Sequence, residues 1–377
     1  MKYIFRSFLA ILFICHTASA ISVKVLLDEQ KDPVWELSAP RGFQLQDART
    51  AKKRSLGATY HKIVIKVIKD RLFLNGKRCT TDSIVLRPMT KGTLFQEGVY
   101  NGAFLITRSN GSYLLINIVD LEEYVFCVLK TESWPGWPLE INKALAVSVR
   151  SYVLYQLVEA VQRSAPYHIR NTNHHQTYAG IHECVIQQQA VEETRGLFLG
   201  HKGNPILAMF DTCCGGVIPS QIDIGIDFKK APYLARKYPC TYCKKWKHYS
   251  WKVEYSLKDF RDRLQEGVET FMHDIRDVKS VRKGSNGQVK ALVARTVRQE
   301  HSFSHRQIYK LLKEVKSFTF SAERKAKKIV ITGKGYGHHM GLCQWGAREM
   351  VTLGWSFDAI LRFFYPGTTF MRVEESD

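Results

Sequence analysis

The sequence predicts an α+β protein: a β-rich N-terminal region plus a mixed α/β domain built on one long helix. Three observations carry this. Residues 21–119 alternate apolar and polar side chains and contain Asn-Gly pairs between apolar runs, the strongest short-range hairpin signal. From Leu139 to about Arg163 the period changes to that of a helix, with Leu145, Val149, Tyr152 and Gln156 on one side. Hydrophobic residues make up 45% of the 377, which is enough to bury a sizeable core and excludes global disorder.

At the start of the chain Lys2 and Arg6 flank an apolar stretch from Phe8 to Cys15, followed by Ala18-Ser19-Ala20. A charged start, a short apolar core and small residues before a cut form a signal-peptide pattern. The mature chain is expected to begin near Ile21. Strands are expected where Ile21, Val23, Val25 and Leu27 alternate, over 63–68 and 71–74 before Asn75-Gly76, and on both sides of Asn110-Gly111. Residues 41–58 are polar and basic and read as a loop. The long helix has Pro138 and Glu140 at its positive end. A second helix is expected over 185–195, ended by Gly196, then strands from Phe198 to Phe210 around Gly203-Asn204. Residues 245–335 mix strands with helices near 256–265 and 304–313, and Asn286-Gly287 marks a hairpin. The basic run Arg324 to Lys328 reads as a solvated face. A glycine-rich turn at 333–341 precedes helices near 344–352 and 357–364, the second capped by Ser356. The expected division is a signal peptide (1–20), a β-rich region (21–119) and a second domain (120–377).

Net charge is +20. Such an excess favours an acidic partner: nucleic acid, anionic lipid or a polyanionic glycan. Export argues against nucleic acid. Eight cysteines follow residue 20. Cys240-Thr-Tyr-Cys243 suits a local bridge, a redox pair or half a metal site, and a single CxxC favours a bridge or buried thiols.

Chemistry concentrates just before the long helix. Glu132 lies between an apolar segment and Trp134 and Trp137. Apolar neighbours raise a carboxyl pKa, and a raised pKa lets a glutamate act as a general acid near neutrality. Indole faces stack on sugar rings. Lys143 and Arg150 are seven apart, which returns to within about 20° of the same helix face. Two cations on one line suit successive anionic groups, or a solvated face.

These residues fall in ordered blocks that resemble the stage II sporulation protein D family, which includes amidase-enhancer proteins of cell-wall lysis. The first block is Leu121-Glu122-Glu123-Tyr124 through Glu132-Ser133-Trp134-Pro135 to Lys143 and Arg150-Ser151-Tyr152. The second is His175-Gln176-Thr177-Tyr178 with Thr194-Arg195-Gly196. The third runs from Phe210 to Gly216. The fourth is Gly333 to His338, Gly341, Gln344-Trp345-Gly346-Ala347 and Phe364-Tyr365-Pro366-Gly367. The resemblance implies an exported lytic transglycosylase that cleaves the MurNAc-GlcNAc bond of peptidoglycan glycan, leaves a 1,6-anhydro end, and has the long helix at its active-site cleft. Glu132 is then catalytic. Lys143, Arg150, Trp134, Tyr178, His338 and Gln344 are the expected substrate contacts. Glycan stripped of its peptides exposes lactyl carboxylates, which suits the basic chain.

Hydrolysing glycosidases need two carboxyl groups. A transglycosylase uses the sugar's own C6 hydroxyl, so one glutamate suffices, first as acid and then as base. No cofactor is required. Some family members hold zinc in the second block; here His168, His174 and His175 form an incomplete set that allows zinc, with satisfied histidines the favoured reading. The third block departs from the family as Asp211-Thr212-Cys213-Cys214, and the fourth carries His339 and Cys343 where glycine and serine are usual. Expected partners are glycan strands and a cell-wall amidase, not nucleic acid; after signal cleavage no transmembrane segment is expected. The expected location is the periplasm or cell envelope. Two other readings are a non-catalytic amidase enhancer and, less favoured, a cysteine peptidase using Cys213 or Cys214 with His338 or His339.

Overall fold

In the computed structural model, residues 21–51, 53–55, 60–172, 175–222, 225–282 and 288–373 are described. The signal segment 1–20, His174 and the Asn286-Gly287 hairpin lie outside them.

The N-terminal region forms two antiparallel sheets over one core. In the first, Ser22–Gln30 pairs with Ser112–Asp120, which pairs with Ala103–Ser109, then Ile84–Pro88, Phe43–Asp47 and Lys53–Ser55. Asn110 and Gly111, at φ 49° and 79°, make the expected tight turn between Ala103–Ser109 and Ser112–Asp120. The second sheet places Val34–Ser38 beside Lys62–Ile68 and Arg71–Leu74. The period-2 pattern holds where one face is buried: Ile63, Ile65 and Val67 point into the core and their neighbours do not. Along Ser22–Gln30 the alternation breaks at a bulge between Leu26 and Asp28. The stretch expected as a loop at 41–58 contains strands Phe43–Asp47 and Lys53–Ser55. Its polar residues hid a strand whose main anchor is the buried Phe43, and whose order comes from pairing with Ile84–Pro88.

Helix α1 (Leu121–Glu132) was not anticipated as a helix. Asp120 caps it, accepting from the N–H groups of Glu122 (2.8 Å) and Glu123 (3.3 Å). Helix α2 (Leu139–Gln162) matches the expected long helix. It is apolar and long enough to cross a membrane by composition, but two-thirds of that stretch is covered by the protein itself. It packs on α1, on α3 (Val185–Glu193) and on the strand Leu197–His201. A helix surrounded on several sides is apolar on several sides, so α2 reads as a core helix.

Residues 250–334 form a unit with its own core. Strands Ser250–Ser256, Lys328–Lys334 and Phe320–Lys325 make one sheet, and Ile275–Arg282, Val289–Thr296 and Glu300–Ser304 another. With α4 (Leu257–Gln265) and α5 (His305–Leu311) they enclose Phe260, Leu264, Leu292, Phe303 and Ile331. The basic run at 324–328 spans the hairpin turn between two of these strands. The chain then returns. Leu342–Cys343 pairs in parallel with Phe210–Asp211, α6 (Gln344–Thr352) and α7 (Phe357–Phe364) pack on α2, and Thr369–Arg372 pairs with Leu197–His201. One apolar core links residues 23–246 with 340–365. The division expected at 119/120 therefore cuts through a shared core, and the separate core is the 250–334 insertion.

Candidate active site

Glu132 ends α1. Its carboxylate accepts a long bond from the Thr177 N–H (3.4 Å), and its own carbonyl accepts from Gln344 Nε2 (2.9 Å). Thr131 Oγ1 donates to the Thr177 carbonyl (2.8 Å), so the second sequence block is clipped to the end of α1. Ser133 Oγ bonds Asn142 Oδ1 (2.7 Å), tying the following turn to α2. The side chain of Glu132 is partly buried, and desolvation raises its pKa above the ordinary range, opposed only by the weak Thr177 bond. The environment anticipated from the sequence is present. Beside it, Thr177, Lys130 and Ala179 line an open cleft of about 300 Å³.

A row of aromatic rings begins two residues after Glu132. Trp134 is 51% exposed, and its ring centroid lies 6.2 Å from that of Trp345. Trp345 stacks on Trp246 at 5.0 Å and 17°, and Trp246 faces the exposed Tyr336 at 6.4 Å. Trp137 is buried and supports Trp345 edge-on. Cations border the row: Arg348 over Trp345 (5.7 Å) and Lys316 over Tyr336 (5.4 Å). Sequence reading missed Trp246, Tyr336, Arg348 and Lys316 as site residues. The one available signal was the alternation of bases and rings in Lys245-Trp246-Lys247.

Several expected contacts have other work. Arg150 is fully buried. Its Nε and Nη2 donate to the two carboxylate oxygens of Glu122 at 2.9 and 2.5 Å, and Nη1 donates to the Leu197 carbonyl at 2.8 Å. Lys143 does share its face, but its ammonium meets Glu140 (2.8 Å) and Glu193 (2.5 Å). The anions these two cations meet are the protein's own: Glu122 of α1, Glu140 of α2 and Glu193 of α3. Tyr178 is fully buried, stacked on Tyr124, with its hydroxyl on Asn117 Oδ1 (2.8 Å). Gln344 is buried and holds the Glu132 backbone instead of facing solvent. The His338 ring accepts the Met340 N–H at Nδ1 (3.0 Å), and burial lowers its pKa to about 4. Of the expected contacts only Trp134 stands open beside Glu132.

His168 is likewise committed: its Nδ1 accepts the Lys24 N–H (3.1 Å), and burial pushes its pKa down to about 4. His175 packs against Tyr152. Among the described residues, neither belongs to a group of three or more ligand atoms close enough to share a metal. The peptidase reading fails on access. Cys213 and Cys214 are buried, with their pKa values raised by neighbouring thiols and by burial. His339 stands where the family has glycine, at φ 70°. Its N–H donates to Asp211 Oδ2 (2.6 Å), its Nδ1 to the Cys214 carbonyl (3.1 Å), and its Nε2 accepts from Thr319 (3.0 Å). Those bonds offset the cost of a left-handed non-glycine residue, on the order of 1–3 kcal/mol.

Fold and site together define an α+β protein with one desolvated glutamate at the end of α1, near a cleft and a row of aromatic rings. Residues 109–201 match the stage II sporulation protein family. Residues 234–341, largely the insertion, match a family described as a domain of unknown function. The chain is 29% identical over 311 residues to an uncharacterized protein of Brachyspira hyodysenteriae, covering 80% of this chain and 81% of the relative. It is 25% identical over 273 residues to the stage II sporulation protein D of Bacillus subtilis (69% and 76%). Over 287 residues it is 23% identical to the amidase enhancer of Bacillus subtilis, covering 64% of this chain but 39% of that longer protein.

Proposed function

We propose that the chain is an exported, envelope-located lytic transglycosylase that cuts peptidoglycan glycan strands with Glu132. The observation that carries this is the desolvated Glu132 carboxyl, two residues before the exposed Trp134 and its row of rings. A carboxyl whose pKa is raised by desolvation holds its proton to higher pH and can donate it to the glycosidic oxygen as the bond breaks. The carboxylate left behind can accept the proton of the muramic acid C6 hydroxyl as that oxygen closes on C1. No water is consumed and no second carboxylate is needed, in contrast to hydrolytic glycosidases. Gln344 and Thr177 hold Glu132 in place. Trp134, half exposed, offers a face for a sugar ring, and the stacked Trp345 and Trp246 continue the row beside it. Arg348 and Lys316 suit the lactyl carboxylates of a peptide-stripped strand, taking the role expected of Lys143 and Arg150.

The test is turnover on isolated glycan strands. Glu132→Gln keeps size and most hydrogen bonding but removes the transferable proton. The rate should fall by roughly 10²–10⁴-fold with binding retained. A variant that cuts at the normal rate overturns the reading. A second reading, an enhancer that binds glycan and stimulates a partner amidase without cutting, draws support from the engagement of Lys143 and Arg150 by internal carboxylates and from the relative of that name. It requires stimulation of an added amidase by protein that yields no anhydro-sugars.

A further inference from the structure

Far apart in sequence, Cys214, Cys240, Cys243 and Cys343 converge behind the aromatic row. Their sulfurs all lie within 4.8 Å of one another, and all four residues are buried. We propose that these four cysteines form a closed structural zinc site.

The geometry favours a metal over disulfides. Zn–S bonds of about 2.3 Å at tetrahedral angles set sulfur–sulfur edges of roughly 3.8 Å. Cys214 and Cys243 are 3.7 Å apart, far beyond the roughly 2.05 Å of a disulfide. The donor set is four soft thiols with no histidine or carboxylate, which selects zinc in a closed, non-catalytic site. Two come from a CxxC turn on the short 3-10 segment Tyr242–Lys245 and the residue pair before it. The others are Cys214 of the third block and Cys343 at the N-cap of α6. Backbone donors already point at sulfur: the N–H groups of Cys214 and Gly346 both reach Cys343 Sγ at 3.3 Å. Such bonds orient and stabilise thiolate ligands. Position 346 has no room for a side chain, since a Cβ there would lie 2.6 Å from Cys240 Sγ.

Charge and protons balance without an oxidant. One Zn²⁺ replaces four thiol protons, which leave to solvent, and the neutral group of four thiols becomes a buried zinc tetrathiolate with two negative charges. Lys244 and Lys245 follow the CxxC directly and stand exposed, Lys245 with its ammonium 3.6 Å from Glu349. The site also has a mechanical role. Cys343 immediately precedes Gln344 and Trp345, and Cys243 lies three residues before Trp246. The metal would lock together the segments that hold the Glu132 carbonyl and build the ring row. Cys213, fully buried next to Cys214, is not part of the four-sulfur group.

The test uses the full mature chain, purified without a metal-binding tag or chelator and in the absence of glycan. Its failure is therefore separate from failure of the transglycosylase reading. Elemental analysis should give about one zinc per chain. Replacement by cobalt should produce the visible bands of tetrahedral tetrathiolate coordination. Cys240→Ser and Cys343→Ser should lower zinc at least about ten-fold, while Cys79→Ser and Cys184→Ser retain it. If the site variants do not fold, the metal content and cobalt spectrum of the unaltered chain still decide. Metal-free, folded protein with these cysteines joined as disulfides, or cobalt bands lacking thiolate character, would overturn the proposal.

Discussion

Replacing Arg150 separates two incompatible pictures of the long helix. If Arg150 faces a glycan, Arg150→Met costs binding and little else. In the structure its guanidinium is fully buried, forks onto Glu122 and reaches the Leu197 carbonyl, while Glu122 also accepts the Gly196 N–H at 3.0 Å. Methionine fills most of the volume but leaves a buried carboxylate with one backbone donor. Removing one partner of a buried pair costs about 3–5 kcal/mol. At an m-value of about 2–3 kcal/mol/M, the urea midpoint should drop by roughly 1–2.5 M. The double variant Arg150→Met with Glu122→Gln removes the stranded charge and should recover at least about 2 kcal/mol of that loss. The assay is urea unfolding followed by tryptophan fluorescence, with the single Glu122→Gln variant closing the cycle. A single variant within about 1 kcal/mol of the parent, with weakened glycan binding, would refute the interior ion pair.

Trp134→Ala should weaken glycan-strand binding by roughly ten-fold with little change in Tm, since half of the residue is exposed; unchanged binding would remove the ring row from the site. Arg348→Ala should reduce the salt dependence of binding to peptide-free strands, because exposed charges are screened; an unchanged salt slope would count against that contact. Glu132 has a raised pKa in the fold, so its contribution to stability is fully present below its unfolded value and is lost as pH rises through the folded one. Glu132→Gln should therefore be more stable than the parent at pH 7, with the gap closing below roughly pH 4. A variant less stable at neutral pH would contradict the desolvated carboxyl.

Local signals in the sequence were enough to place much of the fold. Asn110-Gly111 set a hairpin because a two-residue turn with positive φ needs nothing distant. Helices α6 and α7 begin and end as expected because their apolar spacing and flanking residues are local. The strand Phe43–Asp47 was not legible, since its order depends on a partner some forty residues away. The site divided in the same way. The apolar setting of Glu132 was visible in its neighbours. The fate of Arg150 was not, because Glu122 lies 28 residues earlier and no periodicity marks the pair. For Cys240-Thr-Tyr-Cys243 a local bridge or buried thiols was the favoured reading; the sulfurs of Cys214 and Cys343 that join it are brought there only by the folded chain.

The most direct test of the central claim is the chemistry of the cut end. Glycan strands digested by the mature protein in isotopically labelled water should end in 1,6-anhydro-muramic acid with no label at the cleaved carbon, because the C6 hydroxyl and not water closes on C1. Labelled reducing ends would mean hydrolysis, would require a second carboxylate at the site, and would contradict a mechanism that rests on Glu132 alone.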